Sequence, residues 1–444
     1  MNKIYIINYS VKGIKNLDDW AELSFYNKNI KSTFSIRQYN IKGIYGTNGA
    51  GKSGIIRSAE ILKYLILDPK YLGDMYVQRQ LNDLINRKTK TLEYKVDFLH
   101  KADKTMLLYS YEIRIKESKT GFYEIDTEKL CFKKATSSKP LMHEVYSTQL
   151  GDLNISTDDE SSQKLVDLTK NLLTESTLPA IFRSHNKLIY DEQINDDIWN
   201  GIISLLLFGI NLFVCMDKGD DHRSYYIYEY MDADISTDKP LISHINKLIS
   251  QNSGAFSSEK MRVRKSFYST FEKEAKRLFD FIKIFKADLQ GIEIDKKEDE
   301  EFYICSLVMK YKNYKINAEF ESTGIKKLIK LFDYLDKMVL GNIVFIDELD
   351  SNLHDVYLCA LLEYLMKHAE GQLCFTTHNI GPMDILKRNK KSIDFLSTDH
   401  KIYSWTKNGN YSPSSLYKNG MIEGSAFNVF SFDFIGVFHS EGDE

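Results

Sequence analysis

The 444-residue sequence predicts an α/β protein built around a phosphate-binding loop, and three observations predict it. A glycine-rich loop, Gly46-Thr47-Asn48-Gly49-Ala50-Gly51-Lys52-Ser53, lies between a strand-like segment and one of helical periodicity. Two short apolar runs, 343–346 and 373–375, flank a helical segment at 356–367, as strands of a parallel sheet buried on both faces would. Residues 92–134 alternate apolar and polar side chains, which predicts an antiparallel β layer.

The elements follow in order. Strand-like stretches at 4–7, 21–26 and 41–45 lead into the loop, and Ile55, Ile56, Ala59, Ile61, Leu62, Leu65 and Ile66 then recur at helical spacing until Pro69. Tyr94, Val96 and Phe98, then Tyr109, Tyr111, Ile113 and Ile115, mark two antiparallel strands. From 147 to 251 the chain is polar and broken, with an acidic serine-rich stretch at 156–162 and a charged loop at 217–223. It reads as a mostly helical insertion, in which the apolar run at 202–214 forms a buried helix. A helix from near Ser257 presents Phe267, Phe271, Ala275, Leu278, Phe279, Ile282 and Phe285 on one face, strands follow at 291–294, 302–311 and 314–320, and an amphipathic helix begins after Gly324. Residues 1–134 and 288–444 thus form the two parts of one nucleotide-binding unit, separated by an insertion at 135–287.

Composition narrows the function classes. Lys plus Arg number 59 against 62 for Asp plus Glu, a net charge of -3, so no global positive field draws the chain to nucleic acid. The basic stretches at 260–265 and 387–391 read better as solvated surface than as a DNA patch, and the aromatic tail Phe427, Phe430, Phe432, Phe434 and Phe438 reads as core. The 5 cysteines are scattered, which suits reduced thiols rather than a zinc site or disulfide framework. No stretch reads as a signal peptide or membrane span, so a cytoplasmic protein without membrane contact is expected.

The loop glycines let successive backbone N–H groups converge on a β-phosphate at a helix N-terminus. Lys52 would bridge β- and γ-phosphates, and the Ser53 hydroxyl would ligate Mg²⁺. A parallel strand at 343–346 would deliver Asp347 to the metal and Glu348 to an attacking water. His378, at the end of the next apolar strand, would reach the same sheet edge and donate to the γ-phosphate. Ser322-Thr323-Gly324 opens a helix. It suits an anion grip and a plain serine cap equally.

In this order the segments resemble the ABC-type ATPase heads of the RecF, SMC and overcoming-lysogenization-defect families, with bacterial anti-phage ATPases such as AbiL, PtuA and the PARIS ATPase as the nearest subgroup. In such heads Gly46 to Ser53 (46–53) corresponds to Walker A, Ser322-Thr323-Gly324 to a shortened signature, 343–348 to Walker B, Asp350-Ser351-Asn352-Leu353-His354 to the D-loop and His378 to the switch histidine. The resemblance implies ATP and Mg²⁺ as cofactors. It also implies a homodimer or higher homo-oligomer whose heads sandwich ATP, with Ser322 and Gly324 completing the partner's site. A separate nuclease or toxin effector would belong to an anti-phage role, and DNA to the RecF-like alternative. Asp355 stands where these heads commonly carry proline, and Gln78 and Gln80 are the candidates for the Q-loop glutamine.

Overall fold

The computed structural model describes residues 3–27, 29–102, 105–139, 141–155, 160–184, 196–216, 256–406 and 411–422. The chain opens with β1 (Lys3–Lys12), β2 (Ala21–Ser24), β3 (Ile41–Gly46), α1 (Lys52–Leu67) and α2 (Met75–Leu84). A run of strands follows: β4 (Thr91–Ala102), β5 (Thr105–Glu117), β6 (Tyr123–Lys134), β7 (His143–Gln149) and β8 (Asp152–Asn154). Then come α3 (Glu160–Thr169), α4 (Leu178–Ser184), α5 (Asp196–Asn211), β9 (Leu212–Cys215), β10 (Met261–Arg264), α6 (Tyr268–Phe285), β11 (Gly291–Asp299), β12 (Phe302–Lys310) and β13 (Lys315–Asn317). The last part holds α7 (Thr323–Val339), β14 (Ile343–Ile346), α8 (Asp355–His368), β15 (Gln372–Thr376), α9 (Met383–Leu386), β16 (Ile393–Leu396), β17 (Ile402–Ser404) and α10 (Pro413–Lys418).

Three sheets result. The central one runs β17-β16-β3-β15-β14-β9, parallel throughout except where β17 returns against β16. Its inner strands are apolar because both faces are covered, and every residue of β3, β14, β15 and β16 is buried. The second sheet, β2-β1-β4-β5-β6-β7-β8, is antiparallel, and the third places β12 between β11 on one side and β10 and β13 on the other. The architecture is therefore the α/β one expected, a largely parallel sheet that bears the glycine-rich loop beside an antiparallel β layer.

Helix α1 joins the first two sheets. Ile44, Phe345 and Cys374 of the central sheet share a core with Ile55, Ile56, Ala59, Leu62 and Ile66 of α1 and with Tyr9, Tyr94 and Phe98 of the antiparallel sheet. The Tyr9 and Ser58 hydroxyls lie 2.6 Å apart, and the Tyr94 hydroxyl donates to the Ser58 carbonyl at 3.0 Å. The sheets also meet directly. The β1/β4 register slips between Ile6 and Asn8, and there the Gln372 amide takes the place of a strand partner. It accepts from Ile6 N at 2.7 Å and donates to Ile6 O at 2.9 Å. Helix α7 is apolar on two sides: Leu331, Leu335 and Met338 pack on the central sheet's other face, whereas Ile325, Leu328 and Ile329 cover the third sheet with Leu278 and Ile282 of α6.

Several boundaries differ from the sequence reading. Within 135–287, expected to be mostly helical, β7 and β8 extend the antiparallel sheet and β9 forms the edge of the central one. The apolar run at 202–214 divides accordingly: α5 ends at Asn211, and four residues then pair with β14 in parallel. The helix expected from Ser257 begins at Tyr268, because 261–264 pair with β12 as β10. The charged loop at 217–223, most of the acidic serine-rich stretch and the phenylalanine tail lie outside the described residues. No helix among the described residues is long and apolar enough to cross a membrane.

A lysine–aspartate pair and a glutamate are among the ionisable groups buried in the core. Lys42 on β3 donates to Asp394 on β16 at 2.6 Å, with 1% and 0% exposure, and to the Lys391 carbonyl at 2.6 Å. The other carboxylate oxygen accepts from Ser404 at 2.6 Å, so the pair is fully coordinated, as a buried charge requires. Glu128 on β6 accepts from the Tyr111 and Tyr146 hydroxyls at 2.9 and 2.7 Å and from Leu178 N at 3.0 Å. Burial nevertheless pushes its carboxyl up to about 7. A carboxyl raised in the folded state keeps its proton longer there than in the unfolded chain. Its contribution is complete below the unfolded value of 4.5 and is lost as pH rises through about 7. Glu128→Gln, which fixes the neutral form, should flatten the pH dependence of unfolding free energy across that window by on the order of 3 kcal/mol, read by urea titrations at several pH values.

Candidate functional site

Strands β3, β15 and β14 lie side by side and parallel, so Gly46, Thr376 and Ile346 end at one sheet edge. Ligands of open α/β sheets bind outside that carboxyl edge. The glycine-rich loop, the segment following Thr376 and the acidic pair Asp347-Glu348 all emerge there.

The loop conformation dictates its glycines. Gly51 precedes α1 with φ at 110°, and a Cβ there would meet Asn16 Oδ1 and Leu17 Cδ2, each at 2.8 Å. A Cβ on Gly46 would approach the Leu396 carbonyl to 2.4 Å. The loop is held from outside: Asn16 Nδ2 donates to Gly49 O at 2.5 Å, and His400 Nδ1 faces Ala50 O at 3.2 Å. Lys52, 6% exposed, donates to the carbonyls of Gly46 and Thr47 at 2.8 and 3.0 Å, which curls its ammonium into the loop. Ser53 is the second residue of α1, beside it.

On the acidic side one threonine sets the geometry. Thr376 Oγ1 donates to Asp347 Oδ1 at 2.6 Å and accepts from Glu348 N at 2.8 Å. Asp347 N donates to Cys215 O at 2.8 Å, so β9 buttresses the same turn. Glu348 adopts φ 49°, a left-handed conformation unusual for a residue with a side chain, and Asn352 adopts φ 61°. Asp347 is 2% exposed and Glu348 is half-buried.

Electrostatics confirm that these groups are neighbours. Burial pulls the Lys52 ammonium below the usual lysine range, and Asp347, Glu348 and Asp350 oppose it. Partial burial, then repulsion from Lys52, lowers the His378 imidazole, against the pull of Asp350 and Asp347. The shift favours the neutral imidazole, which can offer one N–H to an anion without adding a charge. Among the described residues no three His, Cys, Asp or Glu side chains gather to hold a metal. The oxygens on offer are the Ser53 hydroxyl and the Asp347 carboxylate. So few hard donors fit Mg²⁺, which keeps waters and takes its remaining ligands from phosphate.

Ser322 and Gly324 lie elsewhere. Ser322 caps α7, its Oγ accepting from Ile325 N at 3.4 Å, and Thr323 Oγ1 donates to Asn352 Oδ1 at 3.1 Å. The backbone of Gly324 packs against Asn352, whose carbonyl would lie 3.0 Å from an added Cβ. These residues meet the turn after Glu348, and none of their hydrogen bonds reaches the glycine-rich loop. Gln78 is a structural clamp: it donates to Leu72 O at 2.6 Å and Tyr123 O at 3.0 Å and accepts from Tyr123 N at 2.8 Å. Neither basic stretch is a free cationic patch. Arg262 and Lys265 pair with Asp299 and Glu298, and Arg388 pairs with Glu363.

Sequence reasoning did not select Thr376, Asn16, His400 or Tyr417. Thr376 could have been suspected as the last residue of an apolar strand. His400 carries no local signal, since it reaches Ala50 across 350 positions. A cavity of about 260 Å³ adjoins the loop, walled by Tyr45, Thr47, Asn48, His378, Ile380 and Tyr417.

No family model matches the chain, and neither does any curated protein sequence. Similar solved structures include an SMC head bound to the C-winged helix domain of ScpA, with TM-score 0.41 and 13% identity, covering 90% of this chain and 98% of that one. The SMC head domain from Thermotoga maritima gives TM-score 0.33 and 14% identity over 91% of this chain and 100% of that one. The recombination mediator protein RecF-ATPrS gives 0.38 and 11% over 91% and 99%. At such scores the roles of the residues follow from their own geometry.

Gly51→Ala adds a methyl group to a strained, crowded position, and it is expected to lower unfolding free energy by about 1–3 kcal/mol in denaturant titrations.

Proposed function

We propose that the chain is an ATP-binding and hydrolysing head of ABC type that uses Mg²⁺ and works in pairs. The observation that carries this reading is the Thr376 hydroxyl, which bonds the Asp347 carboxylate and the Glu348 backbone N–H and so places both acidic residues at the strand edge near Lys52. A plain nucleotide-binding loop has no need of a second acidic residue beside the first. In this reading the loop N–H groups and Lys52 bind the β- and γ-phosphates. Asp347 and Ser53 hold Mg²⁺, which would neutralise phosphate charge. Glu348 orients and polarises the attacking water, and neutral His378 donates to the γ-phosphate. Ser322 and Gly324, remote from their own loop's hydrogen bonds, would complete the site of a second copy.

The test separates binding from turnover. Lys52→Ala should abolish ATP binding, whereas Glu348→Gln should retain it, slow phosphate release about 100-fold or more and accumulate an ATP-dependent dimer by light scattering. A Glu348→Gln protein that turns over at the unaltered rate would remove Glu348 from the mechanism.

At a finer level we place the chain in bacterial anti-phage defence, as the sensor or scaffold that controls a separate nuclease or toxin effector. Support comes from the resemblance of its motifs to such ATPases and from the internal pairing of the basic stretches, which leaves the RecF-like DNA-binding alternative without a cationic surface of its own there. Co-expression with neighbouring genes should recover a stable complex with a nuclease or toxin, and hydrolysis should be indifferent to DNA. ATPase activity stimulated by DNA, with binding that weakens steeply in salt, would favour the RecF-like role instead.

A further inference from the structure

The segment that leads into Ser322 carries an unusual side chain. Phe320 is 73% exposed, the highest exposure of any aromatic ring among the described residues. Its backbone is nonetheless fixed. Residues Ala318–Phe320 form a 3-10 turn capped by Asn317, whose Oδ1 accepts from Glu319 N at 3.0 Å. Ala318 is fully buried beneath it, and on the far side Glu321 accepts from the Tyr311 hydroxyl at 2.6 Å. The ring is thus an apolar knob on a rigid mount, which lowers the entropy lost on docking.

The cavity beside the glycine-rich loop has the room and, on one side, the apolar lining to receive such a ring. Its apolar walls are Ile380 and the Tyr45 and Tyr417 rings, and Tyr417 is itself braced by stacking on Phe395 with centroids 5.5 Å apart. Its volume of about 260 Å³ exceeds the roughly 150 Å³ that suffices to accept benzene. Charges match as well. Phe320 is flanked by exposed Glu319 and Tyr417 by exposed Lys418, and neither makes an ion pair among the described residues.

We propose that in the paired head Phe320 of one copy inserts into the Tyr45–Ile380–Tyr417 cavity of the other, with Glu319 facing Lys418. This rests on the paired-head reading and adds a socket to it. The reach is consistent: Phe320 stands two residues, at most about 7 Å of chain, before Ser322, and the cavity shares Thr47, Asn48 and His378 with the phosphate-facing loop. The contact is isologous, so each pair contains it twice and the loss of one side chain is felt at both sites.

The experiment uses the full chain carrying Glu348→Gln, with half-buried Cys131 and Cys359 changed to serine. Phe320→Cys with Tyr417→Cys should give an inter-subunit product with a short bis-maleimide only when Mg-ATP is present. Phe320→Ala should weaken the ATP-dependent dimer about 10-fold or more while leaving monomer affinity for ATP unchanged, since Phe320 does not line its own loop. Lys418→Glu should weaken it too, and Glu319→Lys should restore it. A dimer that forms at unaltered affinity in Phe320→Ala, with no product from the cysteine pair, overturns the socket and leaves the paired head standing. A chain that stays monomeric with ATP removes both.

Discussion

Helix α1 has no face to give to solvent. Of its 16 residues, 13 are buried, among them Lys52, Arg57 and Ser58, and that constraint organises the rest of the molecule. A helix flanking one parallel sheet needs a single apolar stripe. Here the stripe wraps around, so a second layer must cover what the central sheet leaves open. The antiparallel sheet is that layer. It satisfies the one strongly polar spot on the covered side, Ser58, with two tyrosine hydroxyls from adjacent strands. Because Lys52 and Ser53 sit on the first turn of the same helix, the packing that closes the core also fixes the floor of the candidate nucleotide site.

The two sheets are further locked by interactions that sequence patterning does not foretell. The Gln372 amide bonds the backbone of Ile6 beside the bulge in β1, and it lies at the start of the strand that ends in Thr376. The antiparallel layer is therefore tied to the strand that orients Asp347 and Glu348. At the opposite side of β3, the buried Lys42–Asp394 pair ties the loop-bearing strand to β16, whose Leu396 carbonyl abuts Gly46. The loop-bearing strand is held on both flanks by partners distant in sequence.

Much of the site was legible because its chemistry is local. A loop that turns N–H groups inward needs glycines at fixed spacing, and a buried parallel strand needs an unbroken apolar run ending in its functional residue. Gly46 to Ser53 (46–53), Asp347, Glu348 and His378 could be read for those reasons. What escaped was either short or long-range. β9 is four apolar residues continuous with an apolar helix, so no change of period marks it. β10 hides in a basic stretch, where Met261–Arg264 pair with β12 and Arg262 reaches Asp299 of β11. Thr376, Asn16 and His400 act on residues 28 to 350 positions away, and nothing in their own neighbourhood announces it.

The turn from Asp347 to His354 (347–354) is where the two functional surfaces meet. Glu348 and Asn352 both hold positive φ, a conformation that costs a residue with a side chain on the order of 1 kcal/mol each. The turn keeps both because it is pinned along its length. Thr376 holds its start, Ser351 N donates to Glu348 O at 3.1 Å, Leu353 N donates to Asp350 O at 3.0 Å, and Thr323 holds Asn352. One end of this short, strained turn faces Lys52 and His378. The other leads into α8, and Asn352 near it bonds Thr323 at the start of α7. Through that bond Thr323 ties this turn to the start of α7 and to the exposed segment holding Phe320 and Ser322. Five residues, Glu348 to Asn352, thus separate the candidate nucleotide edge from the segment that carries Phe320.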